Sequence, residues 1–188
     1  GPIIEDYVWV FTAWRALSRS YTAPVSPWND PIGLSHTGFS FTDRSFSYLL
    51  KLSGRLNNAM RIGGQLDYER THQPYYEDEL AYYRTREATR GLNNEKFMSG
   101  NFFVDYTMAK DTLINVGISF ASQKKPLLLD ADTAEMAQYY DVASGYYWGS
   151  GDYNDREKLS RTGINASITH YLDNILGTNH LLRAGADY

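Results

Sequence analysis

Hydrophobic and polar side chains alternate with period two along several stretches of this chain, and residues 48–68 show it most clearly. Tyr48, Leu50, Leu52, Gly54 and Leu56 share one parity, while Lys51, Ser53 and Arg55 take the other. Beyond a polar turn at Asn57-Asn58, Met60, Ile62, Gly64, Leu66 and Tyr68 alternate with Arg61, Gly63, Gln65, Asp67 and Glu69. Successive side chains of an extended chain point to opposite sides, so this pattern predicts two strands, each with one apolar and one polar face. The two-residue polar turn between them predicts an antiparallel hairpin.

The same grammar recurs around Lys110-Asp111, where Gly100, Phe102, Val104, Tyr106 and Met108 lead into Ile114, Val116, Ile118 and Phe120. A third pair flanks residues 173–179, with Ile164, Ala166, Ile168 and Leu172 before it and Leu182, Ala184, Ala186 and Tyr188 after it. Across these six strands Lys51, Arg55, Arg61, Asp67, Glu69, Asp105, Arg161, Arg183 and Asp187 all fall on the polar parity. Independent placement would give that agreement about once in 500, so the two faces are real. Residues 7–17 read as a seventh strand, apolar on both parities. Arg15 puts Tyr7, Trp9, Phe11 and Ala13 on the polar side and leaves Val8, Val10, Thr12 and Trp14 on the apolar one. Bulky aromatics on that polar side, Phe103 included, imply that something covers it.

Two-faced strands suit a soluble sandwich as well as a membrane barrel. Length separates the two, because these segments run about 9 to 12 residues where strands of globular proteins run nearer 5 or 6. The connections also alternate between short ones, at 57–58, 109–112 and 173–179, and long ones, over 18–44, 70–97 and 122–158. Short turns at one end and long loops at the other are the pattern of an outer-membrane barrel, with periplasmic turns and extracellular loops. Tyr48, Tyr68, Tyr106, Phe120 and Tyr188 sit near strand ends on the apolar parity, where such barrels carry aromatic girdles. Seven strands cannot close a barrel with an even strand count, so the expectation is an all-β, antiparallel, up-and-down transmembrane barrel of which residues 1–188 form one part.

Composition narrows the functions. A chain with 43% hydrophobic residues is not disordered, and without Cys it has no thiolate metal site or thiol nucleophile. The formal net charge of −4 argues against nucleic-acid binding, which needs a basic face. There is no basic leader at Gly1-Pro2-Ile3-Ile4, and no run of apolar residues long enough for a spanning helix.

The opening Gly1-Pro2-Ile3-Ile4-Glu5-Asp6-Tyr7-Val8-Trp9-Val10-Phe11 resembles the strand that follows the plug in Oar-like TonB-dependent outer-membrane receptors. Leu50-Lys51-Leu52, Gly64-Gln65-Leu66-Asp67-Tyr68 and Leu182-Arg183-Ala184-Gly185-Ala186-Asp187-Tyr188 are similar to that family's barrel repeats. The resemblance implies a 22-stranded barrel in the bacterial outer membrane, closed by its own plug domain. It also implies an extracellular substrate, and import driven through the TonB–ExbB–ExbD motor. Trp9, Phe11, Lys51, Arg55, Arg61, Asp67, Glu69, Asp105, Arg161 and Arg183 would then face the lumen and plug, and the outer wall would meet lipid and lipopolysaccharide. A non-transporting surface protein, an adhesin or assembly scaffold, is the alternative.

Candidate chemistry is sparse. His36, His72, His170 and His180 are scattered and no hydrolase or metalloprotease motif is present, so neither catalysis nor a cofactor is expected. The strand carboxylates are expected to pair with Lys51, Arg55 and Arg61. Residues 123–157 carry seven carboxylates against three cations. Of these, Asp130, Asp132, Asp152 and Asp155 are candidates for Ca²⁺, although their spacing is not that of an EF-hand and solvation is the simpler expectation. Tyr75, Tyr76, Tyr82, Tyr83, Tyr139, Tyr140, Tyr146, Tyr147 and Trp148 crowd the long loops. Such rings suit capture of a substrate, and they equally suit packing of loop against loop. Short helices are expected within 76–89 and 133–140.

Overall fold

The computed structural model describes residues 2–4, 7–23, 28–29, 35–36, 38–76, 85–175 and 177–188. Among them the chain is all-β. Twelve strands occur, and eight of these build one antiparallel sheet in the order β1 (Pro2–Ile4), β2 (Val8–Ala23), β5 (Phe39–Asn57), β6 (Met60–Gln73), β7 (Gly91–Ala109), β8 (Thr112–Leu128), β11 (Asp155–Ile175) and β12 (Thr178–Asp187). Two small hairpins stand apart, β3 (Trp28–Asn29) with β4 (Ser35–His36), and β9 (Gln138–Asp141) with β10 (Tyr146–Gly149).

All seven predicted strands are present, each paired with its sequence neighbour, but most are longer than the alternation suggested. The five strands β5, β6, β7, β8 and β11 run from 14 to 21 residues. Stretches assigned to loops, such as 39–44, 91–97, 122–128 and 155–158, are strand. Hydrophobic alternation fades there while the hydrogen-bonded ladder continues, because backbone pairing does not require an apolar side chain. The long connections shrink to 24–38, 74–90 and 129–154, and the last short turn tightens to the two residues 176–177. No helix forms among the described residues, and 77–84, the middle of the first expected helix, lie outside them. Residues 86–89 are a turn, closed by Ala88 N–H donating to Thr85 O at 3.2 Å and Thr89 N–H to Arg86 O at 3.2 Å. Residues 131–135 are also a turn, and Gln138, Tyr139 and Tyr140 belong to β9, where cross-strand ring contacts favour extension.

Register fixes the faces. Val8, Gly54, Ile62, Val104, Val116, Ala166 and Ala186 form one unbroken row across seven strands, each directly opposite the next. The next row is Val10, Leu52, Gly64, Phe102, Ile118 and Ile164. Trp14, Tyr48 and Tyr68 stand side by side toward the long-loop end, as a girdle would, and Tyr106 lies toward the short-turn end. Tyr188 departs from the expected girdle. Its N–H and C=O pair with Ile164, and that register puts it level with Phe102 in mid-band.

Among the described residues no second layer covers this apolar face. Phe102 remains 48% exposed and Ile118 46%. The buried apolar residues Phe41, Ala88, Leu92, Leu127 and Trp148 all sit at the long-loop end. Within the sheet, aromatic rings instead fill the space above glycines: Phe103 lies over Gly63, and Phe120 over Gly100.

A Cβ on Gly100 would stand 2.8 Å from the Phe120 ring and 2.9 Å from the backbone oxygen of Gln65. Gly100→Ala is therefore expected to destabilise the sheet by about 1–3 kcal/mol, the usual cost of overpacking, measured as a lowered denaturant midpoint.

Candidate functional site

The opposite, polar face carries the side chains singled out by parity. Trp9, Ser53, Gly63 and Phe103 share one row, and Phe11, Lys51, Gln65 and Asn101 the next. Arg55, Arg61 and Asp105 stand in line on β5, β6 and β7. Asp67 and Arg161 occupy a common row through Ser99 and Ala121, Glu69 lies level with Arg15 through Ser47, and Arg183 lies opposite Thr169 at the short-turn side. The parity assignment of the first strand by Arg15 agrees with this register.

The carboxylates do not take the partners expected of them. Among the described residues no ion pair joins Asp67, Glu69 or Asp105 to Lys51, Arg55 or Arg61. Amides reach them first. The Gln65 amide donates to Asp67 at 2.6 Å from two residues away on the same face. Asn115 donates to Asp105 at 2.7 Å, and Asn165 donates to Asn115 at 3.2 Å, so a polar chain crosses β7, β8 and β11. An amide offers a donor without a second desolvated charge, and the Arg55 guanidinium in turn donates to the Asn58 side chain at 3.2 Å.

Three shallow clefts lie along this face. The cleft toward the long-loop end, of about 400 Å³, is lined by Arg15, Arg19, Tyr21, Asp43, Glu69 and Gln73 among others. Gln73 donates to Asp43 there at 3.0 Å. Another, of about 530 Å³, holds Trp9, Phe11, Lys51, Asn101 and Phe103. The third, of about 500 Å³, holds Tyr7, Arg55, Arg61 and Asp105 near the short turns. Trp9 is 49% exposed and Phe11 54%, so an aromatic surface lies open beside fixed charges. Arg19, Tyr21 and Asp43 escaped the sequence reading because they fall where alternation had faded into apparent loop.

The long-loop end forms a packed cap. The β9–β10 hairpin turns at residues 142–145, where Asp141 accepts from Ala143 N–H at 3.3 Å and Ser144 N–H at 3.1 Å, and Gly145 takes a left-handed φ of 77°. Across it Tyr139 stacks on Trp148 with centroids 4.4 Å apart, and Tyr140 meets Tyr147 at 4.8 Å. Tyr146 lies opposite Asp141. Tyr75 packs edge-on against Phe39 at 4.9 Å and Phe41 at 5.6 Å. Burial pushes its phenol above the ordinary value, with the Arg86 guanidinium opposing. Tyr76 receives the Lys125 ammonium both at its hydroxyl, at 2.9 Å, and over its ring. Most of the described loop aromatics thus pack against one another or against Lys125, and Trp148 is only 8% exposed. Tyr139 and Tyr140 keep an exposed side. Tyr82 and Tyr83 lie outside the described residues.

Among the described residues no group of three or more His, Asp or Glu side chains is placed to hold a metal ion, so Asp130, Asp132, Asp152 and Asp155 are not brought together. Asp130 instead accepts the N–H of Asp132 at 2.9 Å, closing a local turn. Comparison with protein-family models, with curated proteins and with solved structures returned no match.

The two ring pairs of the cap are not equivalent. Trp148→Ala should cost about 3–5 kcal/mol of local stability, and Tyr140→Ala about 0.5–1.5 kcal/mol beyond its lost area. Hydrogen exchange of residues 138–149 is expected to accelerate strongly in the first variant and weakly in the second.

Proposed function

We propose that this chain is part of the wall of an outer-membrane barrel, and that the barrel is a TonB-dependent receptor that binds a substrate outside and imports it past a plug. The observation that carries the membrane reading is the uncovered apolar face, seven strands wide and in unbroken register, beside a buried core confined to the loop cap. On β7 the apolar parity runs from Met98 to Met108. Ten residue steps cover roughly 33 Å along the strand, or roughly 25 Å of height at a tilt near 40°, which is the height of the apolar band of such barrels.

The plug reading rests on the other face. Open aromatics at Trp9, Phe11 and Phe103, beside Arg55 and Arg61 that make no ion pair among the described residues, suit a protein surface better than a water-filled pore, which would favour polar groups throughout. The two outer edges of the sheet also favour a larger barrel. Backbone N–H and C=O groups left unpaired in hydrocarbon cost several kcal/mol each, so further strands would lie beside β2 and β12. Transport coupled to TonB rests on the resemblance of the opening motif and the strand repeats.

Substituted-cysteine labelling of intact cells tests the orientation. A thiol-reactive, membrane-impermeant probe should reach Tyr140→Cys and Val142→Cys, the latter position being 84% exposed, and should miss Asn57→Cys and Lys110→Cys. Labelling of the second pair alone would invert the assignment. For the faces, Val104→Arg should destabilise by about 2–4 kcal/mol while Asn101→Arg costs clearly less. Equal losses in urea unfolding from vesicles would contradict it.

A further inference from the structure

One row beyond the aromatic girdle, the apolar face changes character abruptly. Arg70, Lys96, Lys124 and Lys158 stand in a single row on β6, β7, β8 and β11, each directly opposite the next. Arg44 and Arg156 flank the row one position nearer the loops on the same parity. All six side chains are exposed. The neighbouring carboxylates Glu69, Glu95 and Glu157 have the other parity, together with Lys125, which stands opposite Glu157.

Like charges directly opposite across a strand pair destabilise it, and here the arrangement occurs three times in succession. Adjacent strands are about 4.8 Å apart, so the four cations span about 14 Å. Among the described residues none of the six makes an ion pair; the Arg70 guanidinium donates to the Asn94 side chain at 2.6 and 3.0 Å. In a chain whose net charge is −4, six cations thus stand on one face without a carboxylate among them. Among the described residues the short-turn end of this face has no counterpart, since the row one step past Tyr106 holds Thr112, His170 and Leu182.

We propose that this row binds the phosphate groups of glycolipid headgroups in the outer leaflet. The inference rests on the membrane reading above, which places hydrocarbon against the rows from Ile62 to Tyr68 and the headgroup zone immediately beyond. Phosphates are the ligand whose charge complements the row. Several neighbouring cations can share a diphosphorylated headgroup, and long Lys and Arg side chains reach such groups while their stems stay on the apolar surface. The asymmetry between the two ends then matches a bilayer whose outer leaflet alone carries the phosphorylated glycolipid.

The test uses the protein purified from outer membranes and reconstituted in phosphatidylcholine vesicles containing either diphosphorylated lipid A or its dephosphorylated form. Heat-modifiable gel migration reports insertion, and retention of labelled lipid A reports binding. The triple variant Lys96→Gln, Lys124→Gln, Lys158→Gln is expected to bind diphosphorylated lipid A about a hundredfold more weakly, at about fivefold per lysine near an anionic surface. Lys110→Gln, at the other end, should leave binding at the wild-type level. Unchanged retention in an inserted triple variant, as when the row takes an acidic protein segment instead, overturns the proposal. Should the triple variant not fold, equal wild-type affinity for the two forms of lipid A overturns it too. Failure of the wild-type protein to insert overturns the membrane reading itself, and the lipid site with it.

Discussion

Strand register is the constraint on which the rest of this structure depends. Side chains alternate with a period of two, so a slip of one residue between any two of the seven long strands would carry a whole strand's apolar set to the polar face. The row from Val8 to Ala186 crosses seven strands without such a slip. Irregularities occur only toward strand ends, as between Leu92 and Lys96, where Asn94 adopts a left-handed φ of 58°. The central band, where exchanging the faces would cost most, is regular.

Each functional surface follows from that alternation. One parity yields a continuous apolar wall that no layer of the described residues covers. The other yields clefts in which amides hold the carboxylates beside open aromatic rings. Past the girdle the same apolar parity delivers cations in place of hydrocarbon, because Arg70, Lys96, Lys124 and Lys158 continue the numbering of Tyr68, Met98, Ser122 and Ser160 by two in each strand. The cap differs in kind. It has the small buried core that the sheet lacks, and its rings face one another across a hairpin rather than across a layer.

The central band was legible in the sequence because burial or lipid contact writes itself as strict alternation. The placement of Arg15 alone oriented a strand that is apolar on both parities. Strand ends were illegible for the converse reason: Thr71, His72 and Gln73, or Lys124 and Lys125, show no hydrophobic period although their backbones remain paired. The β9–β10 hairpin had a usable signal, Gln138-Tyr139-Tyr140 and Tyr146-Tyr147-Trp148 around a turn containing Gly145. The run Ala134-Glu135-Met136-Ala137 obscured it by favouring helix. The expected ion pairs do not form because amides take the carboxylates instead, Gln65 from two residues along the same strand and Asn115 from the neighbouring strand. The cation row could not be seen before register was known, since its members are separated by at least 26 residues in the chain.

The central claim is that one face of these strands meets lipid and the other does not. Nitroxide scanning of residues 112–124 on β8, in the protein reconstituted in vesicles, measures this directly through collision with oxygen, which concentrates in hydrocarbon, and with a water-soluble nickel chelate. The account predicts oxygen maxima at Ile114, Val116, Ile118 and Phe120, minima at Asn115, Gly117 and Ser119, and a switch to the aqueous chelate at Lys124. Equal accessibility at all these positions, or maxima on the odd-numbered residues, would contradict it.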